Sequence, residues 1–252
     1  MSGHSKWSTI KRQKGVTDAK RGQAFTRVAN AITLAAREGG ASSDSNFKLR
    51  LAIEAAKRLN MPKDNIERAV DRGVGKGSEA AKLEEVIYEG FGPAGVGVVV
   101  VAVTDNRLRT AQEVRTTFDR GGGTLGAPGS VAYLFSQTGE IDVEVGGAVS
   151  PDDLLSAAAD AGADDVDLSE ESALIYCATS NLDKIKKVLE GRGLKITGSE
   201  ITMKPKNVVR IEEAEKAAKV LSLMDKLEEL QDVQKVYANF DIPEEILERE
   251  AA

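Results

Sequence analysis

The sequence predicts a multidomain protein of the α and α+β classes. An N-terminal three-helix domain is followed by two α+β sheet-and-helix domains, one of them discontinuous. The spacing of apolar residues is helical up to about residue 73 and mixed beyond residue 80, and the net charge changes sign there. Residues 1–77 contain 16 Lys and Arg against 7 Asp and Glu, whereas the rest of the chain contains 18 against 33. A chain of 252 residues is long enough for two or three small domains.

Residues 18–73 are predicted to form three helices. The first places apolar residues at helical spacing, namely Phe25, Val28, Ala29, Ile32, Ala35 and Ala36. Gly39-Gly40 ends it, and Ser42-Ser43-Asp44 is expected to cap the second helix. Pro62 suits the first turn of the third helix, which Gly73 ends. Residues 1–17, which lack periodicity, are expected to be a mobile tail.

A Gly- and Ala-rich stretch, residues 73–81, is typical of a linker to the α+β region. Two strands are predicted at 86–89 and 96–103, joined by a glycine-rich turn at 90–95. A helix follows from about Arg107 to Arg120.

Residues 131–204 have the content of a separate α+β domain. Its predicted elements, in chain order, are a hairpin at 131–136 and 139–145, a helix between a Ser150 capping box and Gly162, a strand at 173–178, a helix begun by a second capping box at Ser180–Asp183, and a strand at 195–203. After residue 205 come a strand at 208–211, a helix at 212–231 and a strand alternating Val236, Ala238 and Phe240. These complement residues 78–130, so we expect three domains: 1–77, 78–130 plus 205–252, and the inserted 131–204.

Two stretches match motifs for cofactor binding, but the sequence around each match does not fit such a site. Residues 90–95 match G-x-G-x-x-G, but a β-branched run follows where a dinucleotide site needs the start of a helix, so a hairpin turn is favoured. Residues 73–78 resemble a phosphate-binding loop, but the lysine lacks the glycine required five residues before it. We expect neither a cofactor nor a small-molecule substrate.

Catalytic and metal chemistry also find little support. The only histidine is His4, in the expected mobile tail, and Cys177 lies in a strand pattern that predicts a buried, inert thiol. Two such residues cannot form a zinc site. The acidic stretch 164–171 lacks the EF-hand pattern and is interpreted as a solvated rim. We expect a protein that is not an enzyme and holds no metal.

No membrane contact is predicted. Residues 1–12 are polar and charged, unlike a secretory signal, and the longest apolar run, at 96–103, is too short to span a bilayer. We expect a cytoplasmic protein.

The basic N-terminal region is the candidate nucleic-acid interface. Residues 1–27 contain seven Lys and Arg against Asp18 alone. Trp7 lies among these cations, where it would stack on an unpaired base or, alternatively, fold back onto the helical unit. Cations spaced four residues apart on the third helix and its exit would extend the surface. The candidate residues are His4, Ser5, Lys6, Trp7, Lys11, Arg12, Lys14, Lys20, Arg21, Arg27, Arg68, Arg72 and Lys76.

Residues 121–183 have the opposite character, with 12 acidic residues and no Lys or Arg. Phosphate backbones would repel this stretch, so it is expected to face away from nucleic acid and either meet a basic protein or serve solubility alone.

Several strings along the chain resemble the YebC family, also called the YebC/PmpR group, which includes the mitochondrial translational activator of cytochrome c oxidase subunit I. They are Gly3-His4-Ser5-Lys6-Trp7, Asp18-Ala19-Lys20-Arg21-Gly22, Asn60 to Ala69, Tyr88 to Pro93, Thr104-Asp105-Asn106, Gly121-Gly122-Gly123 and Asn239 to Pro243. They run in order over essentially the full chain. Ser8-Thr9 departs mildly from the family pattern after the tryptophan.

This resemblance implies a three-domain, non-enzymatic regulator. Members of the family are described as DNA-binding transcriptional regulators, and others as ribosome-associated translation factors that relieve stalling on proline-rich sequences. The expected partner is therefore DNA, ribosomal RNA or both, with the ribosome as a possible assembly. No helix-turn-helix signature with a polar recognition helix is found in the sequence, which favours RNA, whereas the common description of the family favours DNA.

Overall fold

A computed structural model describes residue 7 and residues 18–76, 83–145, 150–169 and 172–251. The chain divides into two compact units, one of residues 135–206 and one in which the residues before 135 join those from 207 onward. Three N-terminal helices are followed by sheet-and-helix regions, which confirms the predicted fold class. The three-domain division with the boundaries given above stays a prediction.

The helices and strands of the described residues are numbered in chain order. The helices are α1 (Asp18–Gly39), α2 (Phe47–Arg58), α3 (Lys63–Gly73), α4 (Arg107–Arg120), α5 (Pro151–Ala161), α6 (Leu182–Gly191), α7 (Ala214–Glu228) and α8 (Glu244–Ala251). The strands are β1 (Glu84–Phe91), β2 (Gly97–Thr104), β3 (Thr124–Leu125), β4 (Phe135–Glu144), β5 (Asp165–Leu168), β6 (Ser172–Cys177), β7 (Ile196–Pro205), β8 (Val209–Arg210), β9 (Val233–Ala238) and β10 (Phe240–Asp241).

Helices α1 to α3 pack around a small apolar core of their own. Its most buried members are Ile32, Ala36, Leu49, Ala56 and Ala69. The helices approach so closely at Gly73 that a Cβ there would collide with the Thr33 carbonyl oxygen. The Thr33 hydroxyl donates to the Ala69 carbonyl oxygen at 3.0 Å, which ties α1 to α3.

The predicted cap of α2 was wrong. Asn46, not Ser42-Ser43-Asp44, caps the helix, because its Oδ1 accepts from Leu49 N at 3.0 Å. Its Nδ2 also donates to the Ala35 carbonyl oxygen at 2.7 Å, near the end of α1. One buried amide thus begins α2 and fixes it to α1, a tertiary role that no local cap rule predicts.

The first sheet has the strand order β3-β1-β2-β9 and is assembled from both sides of residues 135–206. Strands β1 and β2 are antiparallel and joined by the predicted turn, and β2 pairs with β9. Asn239 secures the returning chain. Its Oδ1 accepts from Gly97 N at 2.7 Å, and its Nδ2 donates to the Asn207 carbonyl oxygen at 3.1 Å. The two sequence halves therefore form one discontinuous α+β fold.

Residues 135–206 form a sheet of order β5-β6-β4-β7 with helices α5 and α6. The predicted hairpin was wrong, because 135–144 is one continuous strand. Gly139 lies inside it, where a Cβ would come within 3.0 Å of Cys177 Sγ and 3.1 Å of Leu182. This glycine permits close packing and does not make a turn.

Two further expectations for this unit have different outcomes. The Ser150 cap is confirmed, because its hydroxyl accepts from Asp153 N at 3.1 Å, and Gly162 ends the helix at a φ of 90°. The capping box at Ser180–Asp183 was wrong, because a 3₁₀ turn leads into α6 and no side chain caps it. Part of the acidic stretch is strand β5, which pairs with β6.

No helix among the described residues is both long enough and apolar enough to cross a membrane.

Candidate nucleic-acid interface

Many of the predicted interface residues lie outside the described part of the chain. These are His4, Ser5, Lys6, Lys11, Arg12 and Lys14. The expected mobile tail, apart from Trp7, and residues 77–81 of the predicted linker also lie outside it. Lys20 and Arg21 lie in α1, where the structure describes their backbone but not their side chains.

Trp7 is buried, with 5% of its surface exposed, and it belongs to the main apolar core of the discontinuous fold. That core contains Val98 and Val100 of β2, Leu223 of α7 and Phe240 of β10. Both sequence interpretations differ from this placement, since the indole neither offers a free face to a base nor packs in the core of the three helices.

Burial of the Trp7 indole is favourable even after the cost of its ring N–H is counted. Its Nε1–H is buried and has no acceptor among the residues that the structure describes, which costs about 1–3 kcal/mol. An aromatic side chain of this size buries about 200 Å², and at about 25 cal/mol per Å² this contributes about 5 kcal/mol as an upper estimate. The apolar term exceeds the cost of the unsatisfied N–H.

Arg27 joins two parts of the fold. Its Nη2 donates to the carbonyl oxygen of Glu228, the last residue of α7, and Gln23 Nε2 donates to the next carbonyl, of Glu229, at 3.4 Å. Partial burial lowers the pKa of Arg27, and the charge of Glu228 opposes this. A cation suits this position because the carbonyl end of a helix carries partial negative charge. The sequence could not reveal this, because the partners are 201 residues apart.

Two of the three predicted cations on and after α3, Arg68 and Lys76, make contacts with residues close in sequence. Arg68 donates to Asn65 Oδ1 and to the Asp64 carbonyl oxygen at 3.2 Å, and Lys76 lies 3.5 Å from Asp71. Arg68 and Lys76 are exposed and Arg72 is half-buried. Exposed contacts of this kind contribute little to stability, so a phosphate can replace them at low cost.

A buried carboxylate, Asp232, lies just before β9 and was missed from the sequence. It accepts from Thr104 Oγ1 at 3.0 Å, Thr110 Oγ1 at 2.6 Å and Arg109 Nη2 at 2.7 Å. Burial alone would raise the pKa of Asp232, but these donors hold it below its ordinary value. Asn106 caps α4 by accepting from Arg109 N at 3.1 Å. The Thr104-Asp105-Asn106 string therefore has a structural role here.

A second buried carboxylate, Glu89, fixes the segment between β3 and β4. Its oxygens accept from the backbone N–H groups of Gly129, Val131 and Ala132 at 2.6 to 2.7 Å. Burial alone would raise the pKa of the Glu89 carboxyl, but the three donors lower it below its ordinary value. The segment is therefore held in one conformation by a charge-assisted contact.

The glycines at 90–95 serve packing and turn geometry. A Cβ at Gly90 would come within 2.8 Å of Phe118 and 2.7 Å of the Thr124 carbonyl oxygen, and one at Gly92 within 3.2 Å of Leu223. At Gly90 and Gly92 the protein's own side chains and backbone occupy the space beside the glycine Cα. The hairpin-turn interpretation is confirmed.

Cys177 is fully buried, and burial raises the pKa of its thiol to about 11. It is thus a protonated core residue at neutral pH, as the sequence predicted.

Asp165, in the acidic stretch, is bound by Lys204, while residues 170 and 171 lie outside the described part. Among the residues that the structure describes, no three His, Cys, Asp or Glu side chains are placed to share a metal ion.

Two family models match the chain. Residues 5–76 match the TACO1/YebC protein N-terminal domain, and residues 83–240 match the TACO1/YebC second and third domain. A probable transcriptional regulatory protein of Herpetosiphon aurantiacus is 50% identical over 251 residues, which cover 100% of this chain and 99% of that protein. One of Dictyoglomus thermophilum is 49% identical over 248 residues, covering 98% and 99%.

A solved structure is also similar. The crystal structure of a conserved hypothetical protein from Aquifex aeolicus superposes with a TM-score of 0.84 at 49% identity, and the match covers 91% of this chain and 94% of that one.

Proposed function

This chain belongs to the TACO1/YebC family, and we propose that it is a cytoplasmic, non-enzymatic regulator of gene expression that binds nucleic acid. The proposed role is that of a DNA-binding transcriptional regulator, since the similar proteins named above are called probable transcriptional regulatory proteins. The proposed organisation has a basic nucleic-acid-binding domain at 1–77, a discontinuous domain at 78–130 plus 205–252, and an acidic domain at 131–204.

The division of charge carries this proposal. An excess of nine positive charges lies in the first 77 residues of a chain whose formal net charge is −6. Such a region attracts phosphate backbones, whereas the acidic remainder repels them and orients the molecule. Arg68, Arg72 and Lys76 would add to the N-terminal cations. Arg27 is the least suited of the proposed contacts, because its guanidinium is bound to α7.

A second candidate function is that of a ribosome-associated translation factor that binds ribosomal RNA and relieves stalling on proline-rich sequences. The surface of α3 favours it. Lys63 pairs with Glu67 at 3.3 Å, and Arg68 is held by Asn65. A helix that reads base edges presents amides and arginines toward the major groove instead of binding them to its own neighbours. This mixed-charge surface suits phosphate contact, which structured RNA provides equally well.

Two measurements on the full chain separate these functions. Sedimentation of lysate on a sucrose gradient at physiological salt tests association with ribosomes, and competition between a candidate promoter and scrambled DNA tests sequence preference. A promoter preference of about a thousandfold or more, without ribosome association, would support the transcriptional role. Co-sedimentation without promoter preference would support the translational one. A chain that binds neither DNA nor RNA would refute both.

A matched pair of variants makes the test specific. Lys11→Ala, Arg12→Ala and Lys14→Ala together remove three charges from the proposed interface. Lys187→Ala, Lys195→Ala and Lys216→Ala remove three from ion pairs elsewhere, with Asp183, Glu144 and Glu213. Only the first set should weaken binding strongly. Equal losses in the two sets would show that the total charge matters and not the proposed region.

A further inference from the structure

Strand β1 has one open edge. It pairs with β2 over its whole length, residues 84–91, whereas β3 on its other side pairs with only its last two residues. The backbone of Glu89 also faces β3, since its carbonyl oxygen accepts from the backbone N–H that follows β3 at 2.7 Å. In an antiparallel ladder, the backbone groups of alternate residues point to the same side of a strand. Those of Glu85 and Ile87 therefore point away from β2, toward the open edge.

Four backbone groups on this edge lack partners. The N–H and C=O groups of Glu85 and Ile87 form no hydrogen bond with any residue that the structure describes. The edge is closed at both ends, because Arg37 donates to the carbonyl oxygen of Leu83 on one side and Glu89 meets β3 on the other. The opening is therefore two hydrogen-bonded pairs long. Unpaired groups on an exposed strand edge are a template for a further strand.

Apolar side chains border the opening on both faces of the sheet. Ile87 has 49% of its surface exposed. Tyr88, which points to the opposite face, donates to the carbonyl oxygen of Arg107 in the first turn of α4 at 3.3 Å. The next residue of α4, Leu108, is 84% exposed. A strand added to this edge would have apolar surface to cover on either face.

The opening also carries an unpaired negative charge. Glu85 is exposed, and among the described residues no cation lies within ion-pair distance of it. The charge of Lys48 is close enough to interact with Glu85, but its ammonium group is hydrogen-bonded to Glu38 at 2.9 Å. Opposite charges directly across two strands stabilise their pairing. A cation opposite Glu85 would complement this position.

We propose that the open edge of β1 binds an extended, basic peptide segment of a partner protein, which adds as an antiparallel strand. The backbone groups of Glu85 and Ile87 pair with two alternate residues of the segment. The residue opposite Ile87 is apolar, and the one opposite Glu85 is Lys or Arg. The residue between them points to the α4 side, toward Leu108. This inference goes beyond the proposed function, because the partner is a protein and not a nucleic acid.

A peptide fits this opening better than a second copy of the chain does. Two β1 edges that used all four groups would pair Glu85 of one copy with Ile87 of the other. That register sets Leu83, with Arg37 bound to it, against Glu89 and β3 of the other copy. An extended segment without its own flanking strand avoids this collision.

Amide hydrogen exchange of the free full-length protein tests whether the edge is open. The N–H groups of Glu85 and Ile87 should exchange rapidly, whereas those of Val86 and Tyr88, which pair with β2, should exchange slowly. Slow exchange at Glu85 and Ile87 would overturn the proposal, because the edge would already be covered.

The binding probe is the capped, fluorescein-labelled peptide Thr-Val-Leu-Lys-Thr, which can set its Val opposite Ile87 and its Lys opposite Glu85. Anisotropy titrations of the full-length protein should show saturable binding, and the amides of Glu85 and Ile87 should become protected. Methylation of the Val and Lys backbone nitrogens removes two donors and changes no side chain, so affinity should fall about tenfold or more. Absence of binding, or equal affinity of the methylated peptide, would overturn strand addition.

A charge exchange tests the position. Glu85→Lys should weaken binding of this peptide about three- to tenfold, and a peptide with Glu in place of Lys should recover it. Glu190→Lys makes the same change of charge at an exposed position of α6, in the other compact unit, and should leave binding unchanged. Equal losses in the two variants would overturn the assignment to this edge. A dimer in sedimentation equilibrium that Ile87→Lys dissociates would assign the edge to a second copy and overturn the peptide.

Discussion

The hydroxyl of Thr110 donates to the carboxylate of Asp232 at 2.6 Å, which joins the first turn of α4 to the residue before β9. Residues 135–206 lie between the two in sequence. Thr104, at the end of β2, donates to the same oxygen at 3.0 Å. The discontinuous fold is thus closed by one buried acceptor whose donors come from the earlier half. Removal of the Asp232 carboxylate should therefore lower the stability of the whole fold more than removal of a surface contact would.

We expect Asp232→Ala to lower the free energy of unfolding by about 2–4 kcal/mol, because two buried hydroxyls and the Arg109 guanidinium lose their acceptor. Urea unfolding of the full chain measures this, with Asp119→Ala, an exposed carboxylate on α4, as the control. A change below about 0.5 kcal/mol, the range of ordinary surface substitutions, would show that the contact does not hold the two halves together.

The Glu89 carboxylate should make stability depend on pH. Its folded pKa is lowered, so its contribution is fully present above the pKa of the unfolded chain and is lost as pH falls through the folded value. Glu89→Gln should therefore be destabilised by about 1.5–3 kcal/mol at pH 7, and its difference from wild type should shrink below about pH 4. Thermal melts across this range measure the difference, with the exposed Glu85→Gln as control. A constant difference at all pH values would contradict this account.

Arg27 should behave as a structural residue. We expect Arg27→Gln to lower the melting temperature, because the α7 carbonyl of Glu228 loses its donor, at a cost of about 1–2 kcal/mol. Lys20→Gln, about two helical turns earlier in α1, should weaken binding to RNA without changing the melting temperature. Calorimetry measures the melting temperature of both variants, and RNA titrations measure their affinity. Weaker RNA binding by Arg27→Gln with an unchanged melting temperature would show that Arg27 contacts the nucleic acid.

Local patterns predicted those parts of the fold that local physics determines. The boundaries of α4, the Ser150 cap and the turn at 90–95 follow from capping, spacing and glycine content. The sequence failed where a distant contact decides the role of a residue. Asn46 caps α2 while bonding to α1, Trp7 is buried among strands and helices far along the chain, and no periodicity marks either contact.

The same limit applies to the candidate interface. Charge counting locates the basic region, since it depends only on composition. It cannot tell a cation that faces solvent from one that is bound to the backbone of another helix, as Arg27 is. Charge counting also does not show that Lys76 is paired with Asp71.

Gly139 should tolerate no larger side chain. An alanine Cβ would lie 3.0 Å from Cys177 Sγ and 3.1 Å from Leu182, in a strand paired on both sides. We expect Gly139→Ala to cost about 1–3 kcal/mol through overpacking. Gly191→Ala, at the end of α6 with open space around it, is the matched control and should be neutral or stabilising. Equal effects in denaturant unfolding would show that the strand relaxes around the methyl group.

Binding through the N-terminal cations should depend steeply on salt. Each phosphate neutralised by Lys or Arg releases a counterion, so the slope of log affinity against log salt reports the number of contacts, at about 0.7 per phosphate for a single strand and about 0.9 for duplex DNA. Removal of Lys11, Arg12 and Lys14 together should reduce that slope by about 2–3 and weaken binding to all sequences by similar factors. Titrations of the full chain against single-stranded RNA and duplex DNA at several salt concentrations measure the slope.

Replacing Lys187, Lys195 and Lys216 instead, which form ion pairs elsewhere, should leave the slope as it is. If the slope of the first variant stayed at the wild-type value, the phosphates would be contacted by other cations, and those on α3 would be the next to replace.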